Sequence, residues 1–321
     1  MDYSAVFLAT IGFSLKAIFI KLSLTQGLTS DQVMSLRMIF AVPFFVFFFL
    51  FSRSRKPEKK SADKETLICS VLYFVSVYTN IYGLAYVPVG IERLILFLIP
   101  LLTLCISFIF QRKRFRKRIL IYCFMSIAGA MVSFLGSEPN NNYADRFSFG
   151  IFLIFISALS YAAYMIFSAD GIKKDGASLF NSKVMIIASL PSIFIPIILH
   201  HDVSFFNVHN ASLIPPLCLS LFSTVLPSFF MSWGIKNKGP EFMAAINSFG
   251  PFLTLIAGYL FLGESISFNN VSGMLVVIVS ITFLSMEAKY KVSINESFDN
   301  IRIRKKKWNN FFSGGKNGED V

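Results

Sequence analysis

The sequence predicts an all-α membrane protein with ten transmembrane helices arranged as two inverted five-helix repeats. Three observations predict this class. The chain is 55% apolar, 16% aromatic and only 15% charged, with a mean hydropathy of +0.63, whereas soluble domains carry about 25% charge. Apolar runs of about 20 residues, long enough to cross a bilayer core of about 30 Å, recur along the whole chain. An ungapped echo also relates residues 83–110 to residues 234–261. In that echo Gly83 falls on Gly234, Pro100 on Pro251, Leu102-Thr103-Leu104 on Leu253-Thr254-Leu255, and Phe110 on Phe261.

Ten runs are readable, at about 4–24, 31–52, 66–87, 90–110, 119–137, 149–169, 181–200, 212–235, 241–262 and 267–287. The first begins almost at Met1 without a small-residue cleavage site, so it reads as a retained helix rather than a signal peptide. The short connections leave no room for a soluble domain. The halves are residues 1–137 and 138–287, and a basic tail covers residues 288–321. With five spans per half, the second copy enters the membrane from the opposite face, which is the inverted-repeat plan of secondary transporters. Gly129 and Gly273 occupy similar places in spans five and ten, where small residues let helices approach closely.

The net charge of +12 invites a nucleic-acid reading, but the placement of the charges excludes it. Of the 30 basic residues, 24 follow spans two, four, six and eight or lie in the tail. All of these fall on one side if the N-terminus is inside, while the opposite loops hold only Arg146. By the positive-inside rule both termini are cytoplasmic in a multi-pass plasma-membrane protein. The tail stretch Ile301–Trp308 mixes basic residues with an aromatic and suits anionic lipid headgroups.

The mid-span prolines are the strongest local signal. Pro100 and Pro251 each remove a helical donor and leave the carbonyl four residues back, that of Leu96 or Asn247, without its partner. Broken helices at matched places in two halves point to a transporter's binding site.

These features together resemble a family. Leu36-Arg37 followed by Ala41, the prolines in spans four and nine, the ending Phe261-Leu262-Gly263-Glu264 and then Gly273 are similar to the drug/metabolite transporter superfamily, EamA type. The resemblance covers residues 5–287 and implies a ten-helix carrier of small solutes across the plasma membrane. The sequence departs from the family pattern at Gln111-Arg112, where the first copy lacks the Gly-Glu ending, and at Ile11-Gly12-Phe13 in span one.

Charges inside apolar spans are costly, so each is a candidate by default. Lys16 is the deepest and suits a carboxylate-bearing or otherwise anionic solute. Lys21, Arg37, Glu92 and Arg93 lie nearer their helix ends and read as gating or charge-pairing residues. Glu92 and Arg93 are adjacent and point about 100° apart on a helix, so each is expected to meet another helix rather than its neighbour. Tyr78 with Tyr82, Tyr161 with Tyr164, Trp233 and Asn247 supply the aromatic and directed polar groups typical of a small-molecule site.

Cys69, Cys105, Cys123 and Cys218 sit in apolar spans and read as packing residues. The loop His200-His201-Asp202 to His209 matches no metal spacing, and no cofactor or nucleotide-binding motif is present. The expected function is secondary-active or exchange transport of a small metabolite by alternating access, amino-acid-like or carboxylate-bearing, with solute and lipids as partners. Two alternatives remain: a flippase for a lipid or lipid-linked sugar head group, and an intramembrane enzyme. The latter lacks the paired acids or histidine dyad that it would need within the spans.

Overall fold

In a computed structural model the chain is described over residues 3–53, 63–96, 98–111, 146–200, 210–240 and 250–262, with shorter pieces at 121–132, 243 and 267–283. Among the described residues every regular element is helical, and seven helical segments are long and apolar enough to cross a membrane. The basic tail, the loop after His200, Asn247, Cys123, Glu264 and the basic clusters at 54–62 and 112–118 lie outside the described residues.

Helix α1 (Tyr3–Thr25) and helix α2 (Ser30–Arg53) form a hairpin. Gly27 turns it at φ +88°, a conformation that costs other residues steric strain. A reciprocal cap then starts α2. The Gln32 backbone N–H donates to Thr29 Oγ1 at 3.2 Å and the Thr29 N–H to Gln32 Oε1 at 2.9 Å, so two amides without helical partners are bonded at once. Helix α3 (Asp63–Tyr86) is followed by a fourth span in two pieces, α4 (Val89–Leu96) and α5 (Ile99–Gln111). The split comes just before Pro100, whose ring cannot sit inside a regular helix without losing a hydrogen bond.

A second hairpin follows: α6 (Phe147–Asp175) meets α7 (Ala177–His200) across Gly176, at φ +84°. The eighth span is also irregular. Helix α8 (Ile214–Ser220) passes through a π-turn at Leu221–Val225 into α9 (Leu226–Lys238). Pro227 is the cause, because it supplies no donor for the Ser223 carbonyl and the ladder shifts by one residue. The Leu226 amide accordingly bonds to the carbonyl of Leu221, and Thr224 Oγ1 donates to the Leu219 carbonyl at 3.0 Å. Helix α10 (Gly250–Leu262) carries Pro251 as its second residue, and a shorter apolar helix, α11, covers Val271–Ser280.

Helix α3 lies along α6, α2 along α7, and α1 between α10 and the eighth span. Glycines permit the tightest approaches. A Cβ on Gly12 would stand 2.5 Å from the Phe222 carbonyl and 2.4 Å from the Pro227 ring. Gly83 and Gly150 face each other between α3 and α6, and Gly129 packs on the Gly273 backbone. One large apolar cluster, from Ala17 through Phe45, Leu84, Met165 and Phe180 to Met231, joins both halves. At one end Lys183 pairs with Asp175 at 2.9 Å, and Lys174 with Glu65. Outward faces are apolar: Phe47, Leu50, Phe110, Phe152 and Leu260 are exposed, as lipid contact requires and an aqueous surface would not.

The Gly12 contact predicts a measurable asymmetry. Gly12→Ala should destabilise the protein by about 1–3 kcal/mol through overpacking, because the obstacle is backbone. Gly90→Ala, with nothing within 4 Å of its Cβ, should hold or slightly raise the melting temperature of the detergent-purified protein, since alanine favours a helix over glycine. Equal melting of the two variants would refute the close contact.

Candidate functional site

Where the broken span, the π-turn and the middle of α1, α3 and α6 meet, a cavity opens of about 90 Å³, counted as the space available to the centre of a water molecule. Its residues come from helical spacing. Helix α3 contributes Tyr73, Ser76, Val77 and Asn80, spaced three and four apart and therefore on one face. Helix α1 contributes Thr10, Phe13, Ser14 and Lys16, and α6 contributes Ser157 with Tyr161. The fourth span brings Arg93, Leu96, Ile99 and Pro100; Arg37, Ser223 of the π-turn and Gly250 complete the wall.

Three cations line this space: Lys16, Arg37 and Arg93. Arg37 is 1% exposed. Its Nη2 donates to the Tyr73 hydroxyl at 2.9 Å, while its Nε has no partner. Arg93 donates from Nη2 to the carbonyls of Phe13 at 2.8 Å and Ser14 at 3.3 Å, fixing α4 against α1. Glu92 is fully buried and lies just outside the lining. It accepts from Asn80 Nδ2 at 2.9 Å, and its Oε2 stands 3.0 Å from Arg93 Nε.

This last contact corrects the expectation that adjacent Glu92 and Arg93 would not meet. The Cα–Cβ directions do diverge, but both side chains are long enough to fold together at the start of α4. Both also reach other helices, Glu92 to α3 and Arg93 to α1, as the spacing implied.

The other candidates separate clearly. Lys16, Arg37, Arg93, Tyr161 and Pro100 are brought together at the cavity. Among the described residues Lys16 makes no hydrogen bond or ion pair, and Arg37, Arg93 and Glu92 are close enough to act on its charge. Tyr164 lies behind the wall, edge-on to Tyr73 with ring centroids 5.5 Å apart. Tyr78 and Tyr82 stack on each other at 4.5 Å, and the Tyr82 hydroxyl donates to Asp31, near the start of α2. Lys21 is buried near the end of α1, away from the lining. Trp233 is 41% exposed on the outer face of α9.

The EamA-like transporter family matches the chain twice, at residues 2–135 and 148–286. The chain belongs to the EamA-like transporter family.

Relatives carry matching names. "Uncharacterized transporter YcbK" of Bacillus subtilis is 28% identical over 83% of this chain and 86% of its own length. An "uncharacterized transporter" of Archaeoglobus fulgidus is 25% identical over 65% of this chain and 73% of its own length. The "WAT1-related protein At5g64700" of Arabidopsis thaliana is 23% identical over 49% of this chain and 44% of its own length. A protein crystal structure superposes with a TM-score of 0.68 over 90% of this chain and 99% of that one, at 15% identity, which shows the fold alone. The EamA-family chain is therefore a multi-pass membrane transporter.

Sequence reasoning missed Tyr73, Asn80 and Ser223. For α3 the signal was present: Tyr73, Ser76 and Asn80 form a polar stripe in an apolar span. Tyr78 and Tyr82 are each two residues from Asn80, about 200° around the helix, and so occupy the opposite face. Ser223 depended on the π-turn, for which Pro227 was the only local cue.

The buried Glu92–Arg93 contact predicts coupling. Glu92→Gln or Arg93→Gln alone should each cost about 3–5 kcal/mol by leaving an unpaired buried charge. The double variant should lose less than the two single losses combined. A double-mutant cycle on melting in detergent measures this, and additive losses would show that the two groups do not interact.

Proposed function

We infer that this EamA-family transporter is a secondary-active or exchange carrier that moves a small anion-bearing metabolite across the plasma membrane by alternating access. The observation that carries this reading is the cavity, walled by both halves of the chain and lined by Lys16, Arg37 and Arg93. A buried cationic lining stabilises a negative solute in a low-dielectric site, and aromatic Tyr73 and Tyr161 give it apolar walls.

The ten-span, inverted-repeat plan is part of the same proposal. It is supported by the two family matches, one in each half, and by the packing. Spans three and six pair just as spans eight and one do, and spans three and seven as spans eight and two. Exchanging the halves preserves these contacts, as a two-fold axis in the membrane plane requires. Both termini are placed inside by the charge distribution. Rocking of the halves would then expose the cavity to either side in turn.

Two measurements test this proposal. In proteoliposomes, Lys16→Met should raise the KM for an anionic solute at least ten-fold, equivalent to about 1.4 kcal/mol of binding. Uptake at unchanged KM would sink the assignment of Lys16. For topology, a membrane-impermeant maleimide applied to intact cells should label Asn141→Cys but spare Ser61→Cys, both on a background without native cysteines. The reverse pattern would invert the orientation.

A further inference from the structure

The cavity's charge balance is uneven in a way that narrows the solute. Three cations line it, and Glu92 is the one carboxylate in contact with any of them among the described residues. That carboxylate is committed, held by Asn80 Nδ2 at 2.9 Å and by Arg93 at 3.0 Å. Arg93 is committed too, to Glu92 and to two carbonyls of α1. Lys16 and Arg37 remain as two positive charges with no carboxylate against either among the described residues. Buried charge without a partner is costly, so an arriving solute that supplied both counter-charges would gain most.

The hydrogen-bonding atoms point the same way. Arg37 Nε, a donor on a charged group, is fully buried without a partner. Guanidinium nitrogens bind carboxylate and phosphate oxygens in a charge-assisted manner. Asn80 Oδ1 and Ser223 Oγ are likewise buried and unpartnered, on residues that line the space. An amide oxygen only accepts, whereas a hydroxyl can also donate, so this pair suits a neutral hydroxyl on the solute. Neither offers the negative charge that an ammonium group needs, and Lys16 and Arg37 would repel one.

We propose, resting on the carrier reading above, that the cavity takes a small organic dianion bearing a hydroxyl and no ammonium group, its two negative charges set against Lys16 and Arg37. A hydroxydicarboxylate and a phosphomonoester share this chemistry. A zwitterionic amino acid of the same length does not, because its ammonium enters a site that is already positive.

The test compares matched probes on the purified full-length protein at pH 7.5, by thermal shift and by competition for binding. Malate and aspartate differ at one position, hydroxyl against ammonium; malate and lactate differ by one carboxylate; glycerol 3-phosphate has no carboxylate and carries both charges on one phosphate. Malate or glycerol 3-phosphate should bind at least ten-fold tighter than both aspartate and lactate, and whichever is tighter tells whether the two charges sit on two carboxylates or on one phosphate. Lys16→Met and Arg37→Gln should each erase the preference for the dianion over lactate, while Lys16→Arg should keep it. The ranking on the unaltered chain stands by itself if a variant fails to fold. Aspartate or lactate binding as tightly as the dianions would overturn the dianion proposal and leave the anion-carrier reading intact. Binding confined to neutral or cationic solutes, or to anionic lipid, would overturn both.

Discussion

Much of this transporter depends on one buried carboxylate. Glu92 sits at the start of the fourth span with no exposed surface, joined to α3 through Asn80 and to Arg93 beside it. Arg93 in turn holds two carbonyls of α1. Three helices of the first half are tied through two adjacent side chains. A carboxylate alone in such a place would be costly, and an isolated arginine would be as costly. Each is tolerable because of the other, and together they hold one wall of the cavity while leaving Lys16 and Arg37 facing it.

The same economy governs the backbone. In a bilayer every amide and carbonyl must find a partner within the protein, so irregular backbone is confined to places where side chains or a cavity can receive it. Both described irregularities, the split at Leu98 and the π-turn at Leu221–Val225, border the cavity or supply residues to it. Each is traceable to a proline. Regular helices elsewhere pack through glycines, where carbonyl oxygens of one helix come within ordinary contact of the next.

Composition and periodicity made the membrane class, most of the spans, the helix break before Pro100 and the depth of Lys16 within its span legible in advance. What was not legible had physical reasons. Tyr78 and Tyr82 were prominent as aromatics, but a helix face is decided by its neighbours, and Asp31 draws Tyr82 toward the start of α2. Trp233 is expected at the site as one of its aromatic groups, yet its side chain points outward. The contact between Glu92 and Arg93 depended on side-chain length and on the crowding around α4, neither of which a helical wheel records. Asn80 stands out in the polar stripe of α3, but one amide in an apolar span carries no sign of which carboxylate it will meet.

The π-turn has a consequence for how this chain tolerates change. It holds one residue more than an α-helix would, so one span presents two different faces. Before the turn's end Ser223 looks into the cavity; beyond it Ser228 and Ser232 bond to Asn181 of α7, at 3.0 and 3.2 Å. Removing a single residue inside the turn would make the Leu226–Leu221 bond an ordinary four-residue helical one, and the extra residue that sets Ser223 in the cavity wall while Ser228 and Ser232 meet Asn181 would be gone. The length of that short stretch is thus constrained more tightly than its composition, and related chains should accept substitutions there far more readily than gaps.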